Sequence, residues 1–357
     1  MGSCVSEAEI VTIQQHPMSS SGFVAAADRC QARRRCLPGS RKSFGNSAVL
    51  AGVLALLAIM GMALPRSLRA DAETEQQTSQ QLLDLLQSKQ LEQAVALGEK
   101  AVARWPQNAD FHHWLGIAYF QSGKNPQALK ELQRAESLRP QDYDIHFDTA
   151  LVHLQDRQYA AAAQELKAAL RVKPDHPLAH LLLGRAYQNS NRSVEAIEEF
   201  KTALRLNPKL ELGHYHLGYA YASLGRDQEA IAQYKEEVAR GDATAEVYYQ
   251  LGHVLLQSGE AQAAADNLGK AIQRDGSRAD AFYDLGKALL QLKQTPAALE
   301  ALRRSIALNP SDPSPHYQLA RALRLSGDVA GANAELQLFE QLRKQQPQTG
   351  GMASGMH

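Results

Sequence analysis

Cysteine is almost missing from this chain of 357 residues: Cys4, Cys30 and Cys36 lie near its start and none follows. Everything after residue 36 is therefore without disulfides, thiol ligands or a cysteine nucleophile, and its stability must come from packing alone. Cys30 and Cys36 have no histidine pair beside them, so they do not read as a metal site. Aromatic residues are few, at 6%, and no strand-forming segment of any length stands out, which argues against a sheet. An excess of either charge is missing too: 38 basic side chains face 38 acidic ones. From residue 73 onward the chain is mildly acidic, with 30 basic and 34 acidic residues. Without a positive stripe, nucleic acid is not an expected partner. No phosphate-cradling glycine loop, G-x-S-x-G elbow or H-E-x-x-H pair occurs, so neither an enzyme nor a bound cofactor is expected.

Long hydrophobic runs are lacking with one exception. Residues 48–64 (AVLAGVLALLAIMGMAL) carry no charge, which is the lower limit of length for a membrane-spanning helix and slightly long for a signal-peptide core. Arg29, Arg33, Arg34, Arg35, Arg41 and Lys42 precede the run, and Asp71, Glu73 and Glu75 follow it. That bias keeps the basic side in the cytoplasm and sends the remainder across, as a single-pass membrane protein. The competing reading is cleavage: Ala70 and Ala72 form an A-x-A site, and a cut before Glu73 would give a secreted or periplasmic protein. Met1, Gly2 and Ser6 also match a myristoylation pattern, with Cys4 as a second acylation site, which a start at Met18 would remove. Residues 1–47 read as a disordered basic segment, 65–74 as a linker, and the glycine-rich 347–357 as a disordered tail.

What is present in abundance is alanine at a fixed interval. Ala94, Ala128, Ala162, Ala196, Ala230, Ala264, Ala298 and Ala332 stand 34 residues apart without a slip. Eight units follow, 75–108, 109–142, 143–176, 177–210, 211–244, 245–278, 279–312 and 313–346. Leu115, Leu183, Leu217, Leu251, Leu285 and Leu319 recur at the seventh position, and Gly116, Gly184, Gly218, Gly252 and Gly286 at the eighth. Tyr119, Tyr187 and Tyr221 hold the eleventh. Four residues after the alanine stands a large apolar side chain, as in Leu132, Leu166, Phe200, Tyr234, Leu268 and Leu302. Pro106, Pro140, Pro174, Pro208 and Pro310 close their units. Each half-unit carries apolar residues at helical spacing, so each unit is two amphipathic helices joined at a turn, where Gly123, Gly225, Gly259 and Gly327 fall. A single pair cannot bury both faces; stacking does. Gly241, Asp242 and Gly276 stand where a terminal proline would stiffen the connection, which predicts looser junctions there.

This pattern, L-G-x-x-Y, A-x-x-x-F, A and P in a 34-residue frame, resembles the tetratricopeptide repeat family. The resemblance implies an all-α, right-handed superhelical solenoid of antiparallel helix pairs. It also implies that the first helix of each unit lines a concave groove through its second, fifth, ninth, twelfth and thirteenth positions. The thirteenth column is rich in amides, with Gln121, Gln155, Asn189, Gln257 and Gln291, a ladder able to pair with the backbone of an extended peptide. The fifth column runs through Phe147 to Tyr215, Tyr249, Tyr283 and Tyr317, and tyrosine gives apolar contact with a polar tip at small entropic cost. The ninth changes from Leu83, Ile117 and Leu151 to Arg185, Tyr219, His253, Lys287 and Arg321. With Phe120 and Leu154, the early part of the groove reads as apolar and the later part as aromatic and basic, matching a partner apolar at one end and acidic at the other.

His112, His146, His180, His214 and His316 share the fourth position. Successive units lie about 10 Å apart at helix-packing distance, too far for two of these rings to share one metal, so they read as packing residues whose polar tip finds a backbone acceptor. Phe339 stands where a small residue would receive a further unit, so the C-terminal helix either covers itself or self-associates. The functional expectation is a non-catalytic, membrane-tethered scaffold that holds an extended peptide or protein segment. The alternative is a repeat subunit of an envelope-assembly, secretion or polysaccharide-export machine.

Overall fold

The computed structural model describes residues 66–345 apart from residue 242, with side chains described from residue 74. The basic segment 1–47, the apolar run 48–64 and the tail 347–357 lie outside the described residues. Among the described residues there are sixteen helices and no strand. They are α1 (Arg66–Gln87) and α2 (Leu91–Arg104), α3 (Ala109–Gln121) and α4 (Asn125–Leu138), α5 (Tyr143–Gln155) and α6 (Tyr159–Val172), α7 (Pro177–Gln188) and α8 (Ser193–Leu206). The remainder are α9 (Gly213–Ser223) and α10 (Asp227–Ala239), α11 (Ala245–Gln257) and α12 (Ala261–Arg274), α13 (Ala279–Gln291) and α14 (Thr295–Leu308), α15 (Pro313–Leu325) and α16 (Val329–Gln345). None of them is long and apolar enough to cross a membrane.

The contacts divide these helices into two compact units, split between Ala186 and Tyr187. In the first, each helix from α1 to α6 packs on the next, and α3 also touches α1 and α5. In the second, the same sequential packing runs from α8 to α16, and α9, α11, α13 and α15 touch in turn. First helices thus meet first helices along one side of each unit.

The alanine column explains the close packing of each pair. All eight alanines are fully buried, and the side chain four residues on fills the space opposite a glycine of the first helix. A Cβ on Gly116 would stand 2.7 Å from Leu132 Cγ, one on Gly252 2.7 Å from Leu268 Cγ, and one on Gly286 2.6 Å from Leu302 Cγ. Real Cβ atoms essentially never come this close, so an alanine at these three positions would force the opposed leucine to shift. Gly252→Ala is expected to cost about 1–3 kcal/mol as an overpacking change, read as a lowered urea midpoint.

The turns inside the pairs show a regularity only half marked in the sequence. Gly123, Gly225, Gly259 and Gly327 have positive φ, and so do Lys89, Arg157, Asn191 and Lys293. Together these are the fifteenth position of all eight pairs, so the left-handed residue belongs to the geometry of the turn, whichever side chain occupies it. First helices are often started by a side chain: Asn108, Asp142, Thr244 and Asp312 each accept hydrogen bonds from amides of the following turn.

Three features of the structure go beyond the sequence reading. Residues 66–74, expected as a linker, are helical and continuous with α1; the stretch has no glycine or proline after Pro65 and is rich in good helix formers. Helix α9 starts at Gly213, two residues late, after a left-handed Leu212 that is buried. The two junctions without a proline are not bare. Arg240 donates to the carbonyls of Leu210 and Lys209 at 2.7 and 2.9 Å, and Arg278 pairs with Glu246 and Asp280 while lying over the Tyr249 ring.

Candidate functional site

In the first compact unit most of the fifth, ninth and twelfth columns is interior, with Ser79, Leu83 and Arg185 half-buried. Phe147 is 1% exposed and stacks on Tyr143 with ring centroids 5.5 Å apart. Ile117 and Leu151 are fully enclosed, and Phe120 and Leu154 nearly so. The apolar groove expected from these positions is therefore absent as a surface: α1, α3 and α5 touch side by side, and apolar side chains on their facing edges seal those contacts. Gln121, Gln155 and Arg185 are half-buried. The side-chain carbonyl oxygens of Gln121 and Gln155 are enclosed without a protein donor.

The same neighbourhood holds a buried ion pair that the column reading missed. His113 Nε2 meets Asp148 Oδ2 at 2.7 Å, joining α3 to α5, and both residues are buried. Burial pulls the imidazole down, but the Asp148 hydrogen bond and charge, with Asp142 and Asp144, raise it above its ordinary value. Burial pushes the Asp148 carboxyl up, against the pull of His113. The signal in the sequence was a carboxylate in the midst of an apolar helix, IHFDTALV.

The second unit keeps more of its columns at the surface. Tyr219 on α9 is 42% exposed and Tyr317 on α15 is 44% exposed. Tyr215, Tyr249 and Tyr283 are half-buried. Tyr215 stands 6.1 Å from the Tyr234 ring, and burial raises the phenols of Tyr215 and Tyr249 far above the ordinary value. Tyr249 lies 5.8 Å from His253, and Lys287 Nζ sits 5.1 Å from the Tyr283 ring centre. Tyr317 packs on Phe339 at 5.4 Å, so the unusual aromatic of α16 folds back on α15. Asn189, Gln257, Gln291 and Arg321 are exposed, and Arg321 donates to Gln318 at 2.8 Å.

Two of the expected basic contacts are already engaged. His253 Nδ1 meets Asp284 Oδ2 at 2.6 Å, and Lys287 Nζ meets Asp284 Oδ1 at 3.0 Å. Gln257 Nε2 lies 2.8 Å from His253 Nε2 and donates to it, so the ring proton sits on Nδ1 toward the carboxylate. Burial alone pushes Asp284 up, but the His253 hydrogen bond and the Lys287 charge together hold it below the ordinary carboxylate value. Two of the basic groups of the ninth column, His253 and Lys287, are thus engaged from within, by an acid at the sixth position that the sequence reading did not weigh. What this face presents is tyrosine, at Tyr219 and Tyr317, with Arg321 beside them.

The fourth-position histidines are tied down in a repeated way. His112, His146 and His180 place Nε2 at 3.2, 3.0 and 2.8 Å from the carbonyl oxygens of Pro106, Pro140 and Pro174. Nδ1 of His112, His146 and His316 meets Glu131, Glu165 and Glu335 at 2.7, 2.7 and 2.6 Å, and that of His214 meets Gln233 at 2.8 Å. His112 and His146 thus clip their helices both to the preceding turn and to the second helix of their own pairs, and the other three rings show one of these two contacts.

Sequence profiles described as tetratricopeptide repeat match residues 147–211, 195–245 and 249–313, and a second profile of that description matches 85–148. Together they span well over half of the chain. The chain belongs to the tetratricopeptide repeat family. Among solved structures, this repeat protein is similar to the C-terminal part of a TPR repeat-containing protein from Cytophaga hutchinsonii, with TM-score 0.55 and 13% identity over 65% of this chain and 95% of that one. It is also similar to a tetratricopeptide repeat protein from Parabacteroides merdae ATCC 43184, with TM-score 0.51 and 16% identity over 70% and 99% of the two chains. YrrB, described as a TPR protein with an unusual peptide-binding site, gives TM-score 0.48 and 16% identity over 52% and 95%. At these identities the first two likenesses speak for the fold alone. No curated protein matches.

Proposed function

We propose that this tetratricopeptide repeat protein is a non-catalytic scaffold that holds an extended protein segment against the first-helix side of its second compact unit. The supporting observation is the tyrosine set on α9, α11, α13 and α15, helices that touch in turn, with Tyr219 and Tyr317 well exposed. An extended segment laid across these helices would meet rigid rings carrying a hydroxyl at the tip and, at Gln257 and Gln291, exposed amides that can pair with its backbone. His253 ties α11 to Asp284 of α13, and Lys287 pairs with the same acid within α13, so these two basic groups are already engaged and only Arg321 is left to meet an acidic group of the partner.

A peptide array probed with the full chain tests this. Tyr219→Ala and Tyr317→Ala are expected each to weaken retained peptides by roughly ten- to a hundredfold, the range of a contact near the centre of an interface. Binding unchanged by both substitutions would remove this face from consideration. The scaffold is further proposed to be tethered through residues 48–64, with the basic N-terminal side cytoplasmic and the repeats across the membrane, on the charge bias around that run. Sequencing of the mature N-terminus should then find residues ahead of Glu73, whereas a chain starting at Glu73 contradicts the tether.

A further inference from the structure

Among the five histidines of the fourth column, His146 alone faces two acids. Its Nδ1 lies 2.7 Å from Glu165 Oε2 and 3.9 Å from Glu136 Oε1. One atom from each of the three residues falls within 4.8 Å of the other two. Glu165 has counterparts in Glu131 and Glu335, the partners of His112 and His316. At Glu136's position the other pairs have Val102, Leu170, Leu204, Val238, Ile272 and Ile306, and only the last pair has an acid, Glu340, with no repeat histidine after it to meet. An acid has replaced an aliphatic residue at the one place where it meets a histidine and a second acid.

We propose that Glu136, His146 and Glu165 bind a divalent transition-metal ion, with zinc the chemical type. The imidazole is prepared for it. Nε2 is 3.0 Å from the carbonyl oxygen of Pro140, so it must hold its proton to donate there, which leaves Nδ1, facing the carboxylates, as the nitrogen that can give up its proton to a metal. A backbone carbonyl on the far nitrogen is the usual way a metal-bound histidine is oriented. The ligand set is one nitrogen and two carboxylate oxygens, which suits zinc with a water in the fourth position. Zinc bonds of about 2.0–2.2 Å place neighbouring ligand atoms about 3.3–3.6 Å apart in a tetrahedral site. The Glu165 contact must open slightly and the Glu136 contact close slightly, both within side-chain rotation. His146 is buried while the two glutamates are half-buried, leaving the outer position of the site toward solvent. When no metal is bound, a proton on Nδ1 bridges His146 to Glu165; binding transfers that proton to the buffer, and affinity rises with pH through the imidazole titration.

The test is calorimetric titration of the full chain with zinc chloride in two buffers of different ionisation enthalpy, with cobalt chloride as a spectroscopic stand-in. The wild type should bind one equivalent that is lost at least tenfold in Glu136→Val, give visible cobalt bands of a nitrogen- and oxygen-ligated ion, and release a proton. Valine is the residue at position 102 of the same column, so the variant should keep the wild-type circular dichroism and melting temperature without metal. His112→Gln removes a histidine with only one acid beside it and should leave the equivalent intact. Absence of binding by the wild type, or binding equal in wild type and Glu136→Val, overturns the proposal and leaves His146–Glu165 as an ion pair only.

Discussion

Tyr234→Ala is expected to lower the stability of the second unit by about 3–5 kcal/mol, the range for emptying a fully buried aromatic site. Tyr234→Phe should leave stability unchanged or raise it. The ring is fully enclosed and lies against Gly218, where an added Cβ would stand 2.9 Å from its Cδ1 and Cε1 atoms. It also packs near Tyr215, so its loss opens a cavity that neighbouring helices cannot close without shifting first helices against each other. The hydroxyl is a different matter. It is buried with no hydrogen-bond partner, and burial drives its titration far above the ordinary phenol value. A buried hydroxyl without a partner costs about 1–3 kcal/mol, and phenylalanine avoids that cost while keeping the ring. Urea denaturation followed by far-ultraviolet circular dichroism measures both. A phenylalanine variant as damaged as the alanine one would show that the hydroxyl is satisfied in solution.

Asp148→Ala should be nearly as damaging in the first unit, at about 3–5 kcal/mol, because it strands His113 in the interior. The double variant His113→Leu/Asp148→Leu is expected to recover most of that loss, since a buried pair exchanged for apolar groups of similar size is often neutral. The pair also predicts a pH dependence. Both groups have folded-state values above their ordinary ones, His113 above 6.5 and Asp148 above 3.8. A raised value means that the folded state binds the proton more tightly than the unfolded chain, so each contribution is full at lower pH and fades as pH rises through the folded value. For His113 that loss falls on the alkaline side of 6.5. Unfolding free energies measured upward from that pH should decline in the wild type and decline less in Asp148→Asn. Equal slopes in the two would assign the pH dependence to other groups.

The repeat was legible because eight copies average away local exceptions. A fully buried alanine in every copy is a steric demand that no other residue type meets as well, and it leaves a mark at each recurrence. The turn was legible only where glycine marked it. Asn191 adopts the same left-handed conformation with a side chain that suits it, whereas Lys89, Arg157 and Lys293 adopt it with nothing in their side chains to announce it. Asx residues apart, only glycine signals a conformation that any residue will accept when tertiary packing requires it.

The face of the first helices was read less well, for a reason that lies in packing. A column position says which way a side chain points, not whether a neighbouring helix covers it. Phe147, Ile117 and Leu151 point as expected and are sealed between first helices; Tyr219 and Tyr317 point the same way and remain exposed. Asp148 and Asp284 were the anomalies that could have been weighed, since an acid on the buried side of an apolar helix must find a partner. In each case the partner is a histidine on the first helix of the preceding pair, His113 or His253.

The most direct test of the tyrosine face is site-specific photo-crosslinking of the full chain in its own cells, with the photoreactive residue placed at position 219 and, for comparison, at position 194. Val194, on α8, is 63% exposed and belongs to a second helix. A binding face made of first helices predicts a discrete adduct from position 219 that is absent from position 194. Adducts of equal yield from both positions, or from position 194 alone, would contradict it.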